Sequence, residues 1–271
     1  MALGRTELAH GTGVGGGPPA RADLSIGALD GTVFMYAGID ESTQIVPYQD
    51  MWSWSAGVWK DTKATSGPIA PREGAAMARL GTKLFIFGGF TYDDVGSSNG
   101  IWMQETWAWD GQFWSQHMVP GPSARRNAAM APLGGKLVLF GGSDSTGKLL
   151  GDTWEWDGNA WTQRMPPESP PGRAYHAMAT LGSSVYLFGG DLNGNRTWEW
   201  DGNVWTHHDV LGPVPRVGAP MVTYGDKILL YGGQNAAGKY LSDTWEWNGT
   251  AWTQRKVQGP PGRTLHGLVA P

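Results

Sequence analysis

The chain of 271 residues contains no cysteine. That excludes disulfides, thiolate metal ligands, a cysteine nucleophile and any cysteine-derived cofactor. Charged residues make up only 16% of the sequence and the formal net charge is −4, so the concentrated basic stripe that nucleic-acid binding needs is missing. Arg125-Arg126 is a single dipeptide, too little for a polyanion. No run of about 18 apolar residues occurs, so no helix is expected to cross a membrane. The stretch Met1 to Gly17 is glycine-rich without an apolar core and is not a secretory signal as written, which favours a cytoplasmic location. Helical periodicity is absent throughout. So are a Gly-x-Ser-x-Gly elbow, a His-Glu-x-x-His pair and a phosphate-binding loop. What the chain has in abundance is glycine (42), proline (18) and tryptophan (16). Glycine and proline alone would suggest disorder, but disordered chains lack aromatics, so this one folds.

The tryptophans fall in a repeat. Thr153-Trp154-Glu155-Trp156, Thr197-Trp198-Glu199-Trp200 and Thr244-Trp245-Glu246-Trp247 are copies of one another. Thr106-Trp107-Ala108-Trp109 is a fourth copy, and Met51-Trp52-Ser53-Trp54 a divergent fifth. Five residues beyond each second Trp comes another, at Trp59, Trp114, Trp161, Trp205 and Trp252. Upstream lies an apolar run closing on a small pair (Gly38, Gly89, Gly142, Gly190, Gly233), and upstream of that an arginine: Arg21, Arg72, Arg125, Arg173, Arg216 and a sixth, Arg263. The arginine spacings are 51, 53, 48, 43 and 47 residues, a period typical of propellers. Each unit reads as four short strands. In the clearest, Arg173–Thr180 is small and apolar, Val185–Phe188 is β-branched and aromatic, Thr197–Trp200 alternates with period two, and Asp201-Gly202 turns the chain into Val204–His207. The expected fold is therefore all-β, a propeller of five four-stranded antiparallel blades, with six as the alternative. Small first-strand residues suit the crowded axis, and the Trp pairs suit the diverging outer wedges, so fifteen of the sixteen tryptophans are expected to be packing residues.

The Arg … Gly-Gly … Trp-x-Trp … Trp pattern from Pro18 to Pro271 resembles the kelch repeat, and its Asp-Thr-Trp-Glu-Trp-Asp/Asn-Gly copies look like the bacterial, galactose-oxidase-like branch. The resemblance implies a domain over residues 18–271, with repeats starting near 21, 72, 125, 173 and 216, preceded by a flexible segment 1–17. It also implies ring closure by a terminal first strand. Residues 263–270 are expected to close the ring, leaving residues 1 to about 29 looser. Copper chemistry of the galactose-oxidase type needs a Cys–Tyr crosslink, which the lack of cysteine forbids. The Glu-x3-Asp-x3-His iron triad of nitrile-specifier kelch proteins is also absent.

In a four-stranded antiparallel blade, the arginine end carries the longer loops. Between the small pair and the next Trp-x-Trp segment, 12, 16, 10, 6 and 10 residues intervene, and unequal loops on a rigid scaffold are where binding residues sit. The longest loop holds Phe90, Tyr92, Asp93, Asp94 and Trp102, the one tryptophan outside the repeat. Trp102 reads either as a lid over the channel or as a plug under its own loop. Just after the arginines, Glu73, Arg126, Asn127, Tyr175, His176 and His266 break the small-residue rule. The kelch resemblance adds the positions following the Gly-Gly pair: Phe90, Ser143, Asp191 and Gln234. The expected ligand-binding set is Phe90, Tyr92, Trp102, Arg126, Asn127, Tyr175, Asp191 and Gln234, around the arginine-side mouth, for a peptide, glycan or small molecule. The alternative is a cofactor-free or single-metal enzyme (isomerase, lyase or cyclase) in the same mouth. There His176 and His266 would be acid and base, with Glu73 or Asp23 beside them. The blander reading of the histidines is a packing contact with the neighbouring blade, and that of the arginines is bracing of loops through carbonyls or carboxylates.

Overall fold

The structure, a computed structural model, describes residues 16–40, 47–63, 68–92 and 100–270. Most of the segment 1–17 expected to be flexible, and Asp93 and Asp94, lie outside these. Five four-stranded antiparallel sheets form a β-propeller, and no helix occurs among the described residues. Blade 1 comprises β1 (Ser25–Leu29), β2 (Thr32–Tyr36), β3 (Met51–Ser55) and β4 (Val58–Asp61). Blade 2 comprises β5 (Ala76–Leu80), β6 (Lys83–Phe87), β9 (Thr106–Trp109) and β10 (Trp114–His117); a hairpin of β7 (Phe90–Tyr92) and β8 (Gly100–Trp102) sits between its second and third strands. Blade 3 runs through β11 (Ala129–Leu133), β12 (Lys136–Phe140), β13 (Thr153–Trp156) and β14 (Trp161–Arg164). Blade 4 runs through β15 (His176–Leu181), β16 (Ser184–Gly189), β17 (Thr197–Trp200) and β18 (Trp205–His208). Blade 5 runs through β19 (Met221–Tyr224), β20 (Lys227–Tyr231), β21 (Thr244–Trp247) and β22 (Trp252–Arg255).

Period-two alternation puts both tryptophans of each Thr-Trp-x-Trp segment on the face toward the preceding blade. Trp107 and Trp109 pack with Phe34 and Tyr36 of blade 1, and Trp198 and Trp200 with Val138 and Phe140 of blade 3. From blade 2 onward the second indole also lies 5.3–5.4 Å from the fourth-strand Trp of its own blade. The fourth-strand indole then reaches across the wedge. Trp161, Trp205 and Trp252 donate to the hydroxyls of Thr106, Thr153 and Thr197 in the preceding blade at 2.7–2.9 Å. In blade 1 the corresponding position is Met51, which has no hydroxyl, and the buried Trp114 N–H is left without an acceptor.

The arginines are structural. Arg72, Arg125, Arg173 and Arg216 each donate from Nε to the carbonyl two residues back and from Nη1 to a glycine carbonyl sixteen residues on. Arg21 does the same with Pro19 and Ala37. A carboxylate two residues before the first Trp completes the brace in four blades: Asp50, Glu105, Asp152 and Asp243. The same carboxylate accepts that Trp's indole N–H. In blade 4 the slot holds Arg196, so Arg173 keeps only its carbonyl contacts, and burial lowers its affinity for the proton.

Both terminal copies of the first segment are used, and for residues 21–29 this corrects the expectation of a looser segment. β1 pairs with β2 over its whole length, Ser25 opposite Tyr36 through Leu29 opposite Thr32. Residues 263–270 form no strand, yet they lie between blades 5 and 1. The residue two after each arginine adopts the left-handed conformation, at φ of 53–64° for Asp23, Gly74, Asn127, Tyr175, Gly218 and Leu265. Each donates its N–H to the carbonyl of the preceding one at 2.7–3.0 Å, and Asp23 donates to Leu265, so six backbone hydrogen bonds close a ring about the axis.

The brace makes a stability prediction. Asp152→Ala leaves the fully buried Arg125 guanidinium without its counter-ion, and should cost on the order of 3 kcal/mol. The urea midpoint should fall at unchanged m-value. The hydrogen bonds and charge of Arg125 outweigh burial and hold the Asp152 carboxyl below its usual range, so its contribution is present above about pH 4 and fades as pH falls below that.

Candidate functional site

The central channel is lined by the residues two and three after each arginine: Asp23 and Leu24, Gly74 and Ala75, Asn127 and Ala128, Tyr175 and His176, Gly218 and Ala219, Leu265 and His266. Its cavity is only about 150 Å³, well below the roughly 300–1,000 Å³ of drug-sized ligand pockets. His176 and His266 do share it, as their common repeat position implies. Their imidazoles, however, pack against the blades. His176 meets Phe140 edge-on at 5.6 Å, and His266 meets Tyr231 at 5.5 Å. Their Cε1 atoms approach the backbone of Gly141 and Gly232, where a Cβ would stand 3.0 and 3.1 Å away. Neither ring makes a hydrogen bond of ordinary geometry. Burial, reinforced by Arg173 and Arg263, pushes the two groups down to about 3 and about 4. Both are therefore neutral near pH 7, and neither is suited to donate a proton there.

Glu73 does not line the channel with them. In four repeats the residue one after the arginine bridges the position after the small pair: Ala22 with Ile39, Glu73 with Phe90, Arg126 with Ser143 and Val217 with Gln234. Arg126 donates to Glu73 Oε1 at 2.7 Å, and its guanidinium lies over the rings of Phe90 and Trp102 at 4.9 and 5.0 Å. Phe90 contacts Tyr92 at 4.9 Å and Trp102 at 5.3 Å, both edge-on. The β7–β8 hairpin makes this possible because its pairing sets Phe90 opposite Trp102 and Tyr92 opposite Gly100. The Phe90 ring occupies the space where a side chain at residue 100 would begin, so only glycine fits there. Five of the residues singled out from sequence thus form one cluster: Glu73, Phe90, Tyr92, Trp102 and Arg126. Phe90 is its buried centre, while Trp102 and Tyr92 stay half-exposed.

The remaining positions scatter. Asn127 and Tyr175 line the channel and serve the hydrogen-bond ring. Gln234 caps its own loop, donating to Gly238. Asp191 lies in a separate hollow on blade 4, with Arg173, Arg196 and Asp209, and accepts from the Asn193 backbone. Sequence reasoning missed the brace carboxylates Asp50, Glu105, Asp152 and Asp243. Their signal was an acidic residue two positions before the first Trp in four of five repeats. Among the described residues no group of three His, Asp or Glu side chains could hold a metal ion.

Comparison with known proteins agrees with the architecture. Residues 6–190 match the family model of the KLHDC2/KLHL20/DRC7 Kelch-repeats domain, and residues 215–260 match that of the Kelch motif. The chain belongs to the kelch-repeat family. Two curated relatives are similar to it. Tip elongation aberrant protein 1 of Schizosaccharomyces pombe is 25% identical over 171 residues, covering 58% of this chain and 14% of that protein. Rho GTPase-activating protein gacHH of Dictyostelium discoideum is 26% identical over 134 residues, covering 47% of this chain and 9% of that protein. Each match thus spans only a small part of a much larger relative.

The buried histidine carries a pH prediction. The folded value of His176 lies below its unfolded value of about 6.5, so protonation favours the unfolded chain as pH falls below 6.5 toward 3. Between pH 7 and pH 5 the wild type should lose about 2 kcal/mol through this group. His176→Leu should flatten that part of the profile of unfolding free energy against pH, as measured in urea.

Proposed function

We propose that this propeller is a binding module and that a peptide segment of a partner protein docks on the arginine-side rim at the Glu73, Phe90, Tyr92, Trp102 and Arg126 cluster. Kelch propellers are typically protein-binding domains, and the cavity volume supports a rim site over a channel site. One observation carries the reading. Among the described residues blades 3 and 5 close this loop with a single antiparallel bridge, whereas blade 2 inserts a two-stranded hairpin that builds a half-exposed aromatic surface held by a cation. Arg126 is fixed by Glu73, so its charge and the ring faces are presented with little conformational freedom, which lowers the entropic cost of binding. Tyr175, Asn127, Asp191 and Gln234 would contribute at most peripheral contacts. The likeness of the Trp-Glu-Trp copies to the galactose-oxidase-like branch belongs to this proposal too and adds no chemistry to it.

The test uses peptides selected on the protein from a random displayed library, with affinities measured by calorimetry. Trp102→Ala and Arg126→Ala should each weaken binding about fivefold or more, a loss of about 1 kcal/mol, with the thermal midpoint held. Peptides that bind both variants like the wild type would overturn the assignment. So would a Trp102→Ala protein whose midpoint falls in step with its affinity.

A further inference from the structure

The arginine brace is complete in four blades and open in one. In blades 1, 2, 3 and 5 the arginine Nη2 donates to a carboxylate oxygen at 2.8–3.0 Å. That same oxygen accepts the indole N–H of the first Trp at 2.7–2.9 Å. Two donors from different strands thus converge on one anionic group. Blade 4 keeps the two donors, as Arg173 and Trp198, and lacks the anion. Arg173 spends Nε and Nη1 on the Pro171 and Gly189 carbonyls. Among the described residues, neither its Nη2 nor the Trp198 indole N–H has an acceptor. Both residues are 3–4% exposed, and both line the blade 4 hollow.

No described side chain of the protein fills the gap. Arg196 stands at the carboxylate's sequence position and turns away to Asp209, Nε to Oδ1 at 2.8 Å. Asp209 is further engaged by His207 Nδ1 at 3.1 Å. Asp191 is the one carboxylate whose charge reaches Arg173, yet it makes no ion pair there and accepts the Asn193 N–H instead. The loop from Asp191 to Arg196 is also the shortest of the five. Longer loops send Met103, Leu150 and Leu241 to donate to Gly89, Gly142 and Gly233, where they accept the N–H of the next arginine. The blade 4 loop makes neither bond among the described residues, and a hollow of about 370 Å³ lies open beside it. That volume falls within the roughly 300–1,000 Å³ of small-molecule pockets.

We propose that the blade 4 hollow binds the carboxylate of a small organic acid, held by Arg173 Nη2 and Trp198 Nε1 as the brace carboxylates are held in the other four blades. A buried guanidinium without a counter-ion is costly, and charge-assisted hydrogen bonds to a carboxylate relieve that cost. The brace carboxylates reach their donors from the chain entering the third strand, and in blade 4 residues 195–197 hold that place. A free acid can enter without a second backbone beside it, which an acidic side chain of another polypeptide would require. Arg196, whose side chain is 56% exposed, supplies a further cation at the edge of the hollow. The site is separate from the blade 2 cluster and shares no residue with it.

The test titrates the protein with sodium propionate against sodium chloride at equal ionic strength, following the indole cross-peaks in proton–nitrogen correlation spectra. The Trp198 cross-peak, assigned by its loss in Trp198→Phe, should move saturably, and the thermal midpoint should rise by about 2 °C or more. Arg196→Asp restores a carboxylate to the slot. It should raise the midpoint without propionate by a similar amount and abolish the propionate response. Asp191→Asn should leave both midpoint and response nearly unchanged. A Trp198 cross-peak that responds to chloride as it does to propionate would overturn the proposal, as would a propionate response that persists in Arg196→Asp. An Asp191→Asn protein destabilised as much as Asp152→Ala would also overturn it, because Asp191 would then be the counter-ion. The peptide acetyl-Gly-Glu-Gly-amide, which carries only a side-chain carboxylate, should bind more weakly than propionate; tighter binding would reassign the hollow to an acidic polypeptide. None of these outcomes bears on the blade 2 rim, whose peptide binding is measured on other residues.

Discussion

The architecture depends on a closed circuit of six backbone hydrogen bonds at the axis, each made by a residue in the left-handed conformation. Two of the six are glycines, for which that conformation is free of steric cost, but Asp23, Asn127, Tyr175 and Leu265 accept strain of the order of 1 kcal/mol each. A residue such as Tyr175 adopts it because the N–H and C=O it commits to the ring would otherwise be buried without partners. The circuit sets the angular step between blades, and a six-membered circuit sets six sectors.

Outside the ring, two devices repeat with enough redundancy to tolerate losses. The arginine brace ties the entry to each first strand to the end of the second and, through its carboxylate, to the first indole of the third. Blade 4 shows the brace surviving on carbonyls alone, with Arg196 redirected to Asp209. The Trp-to-Thr hydrogen bond staples neighbouring blades, and the blade 1–2 junction does without it because Met51 replaces the threonine, leaving only apolar packing around Trp114. Each such junction buries several aromatic side chains, so a lost hydrogen bond costs little of the total.

This division of labour separates scaffold from surface. The channel is filled by the groups that make the ring and by two neutral histidines wedged against glycines, which leaves little room for chemistry. The rim above blade 2 is different. An inserted hairpin sets Phe90 and Trp102 around Arg126.

Blade number, blade pattern and the packing role of the twelve repeat tryptophans of blades 2 to 5 were legible in the sequence, because period-two alternation and a fixed repeat spacing are local properties; Trp52, Trp54 and Trp59 of blade 1 were expected to pack likewise and are half-exposed. β17 occupies the Thr197–Trp200 segment that its pattern indicated. The shared repeat slot of His176 and His266 was legible too, but not what that slot does. Whether a residue one, two or three places after an arginine faces the rim, the ring or the neighbouring blade depends on the left-handed kink between them, which sends Glu73 outward and His176 inward. The use of both terminal first-strand copies was equally beyond local reading. Only the closing of six hydrogen bonds among segments more than forty residues apart decides that residues 21–29 build a blade while residues 263–270 hold a place in the ring without one.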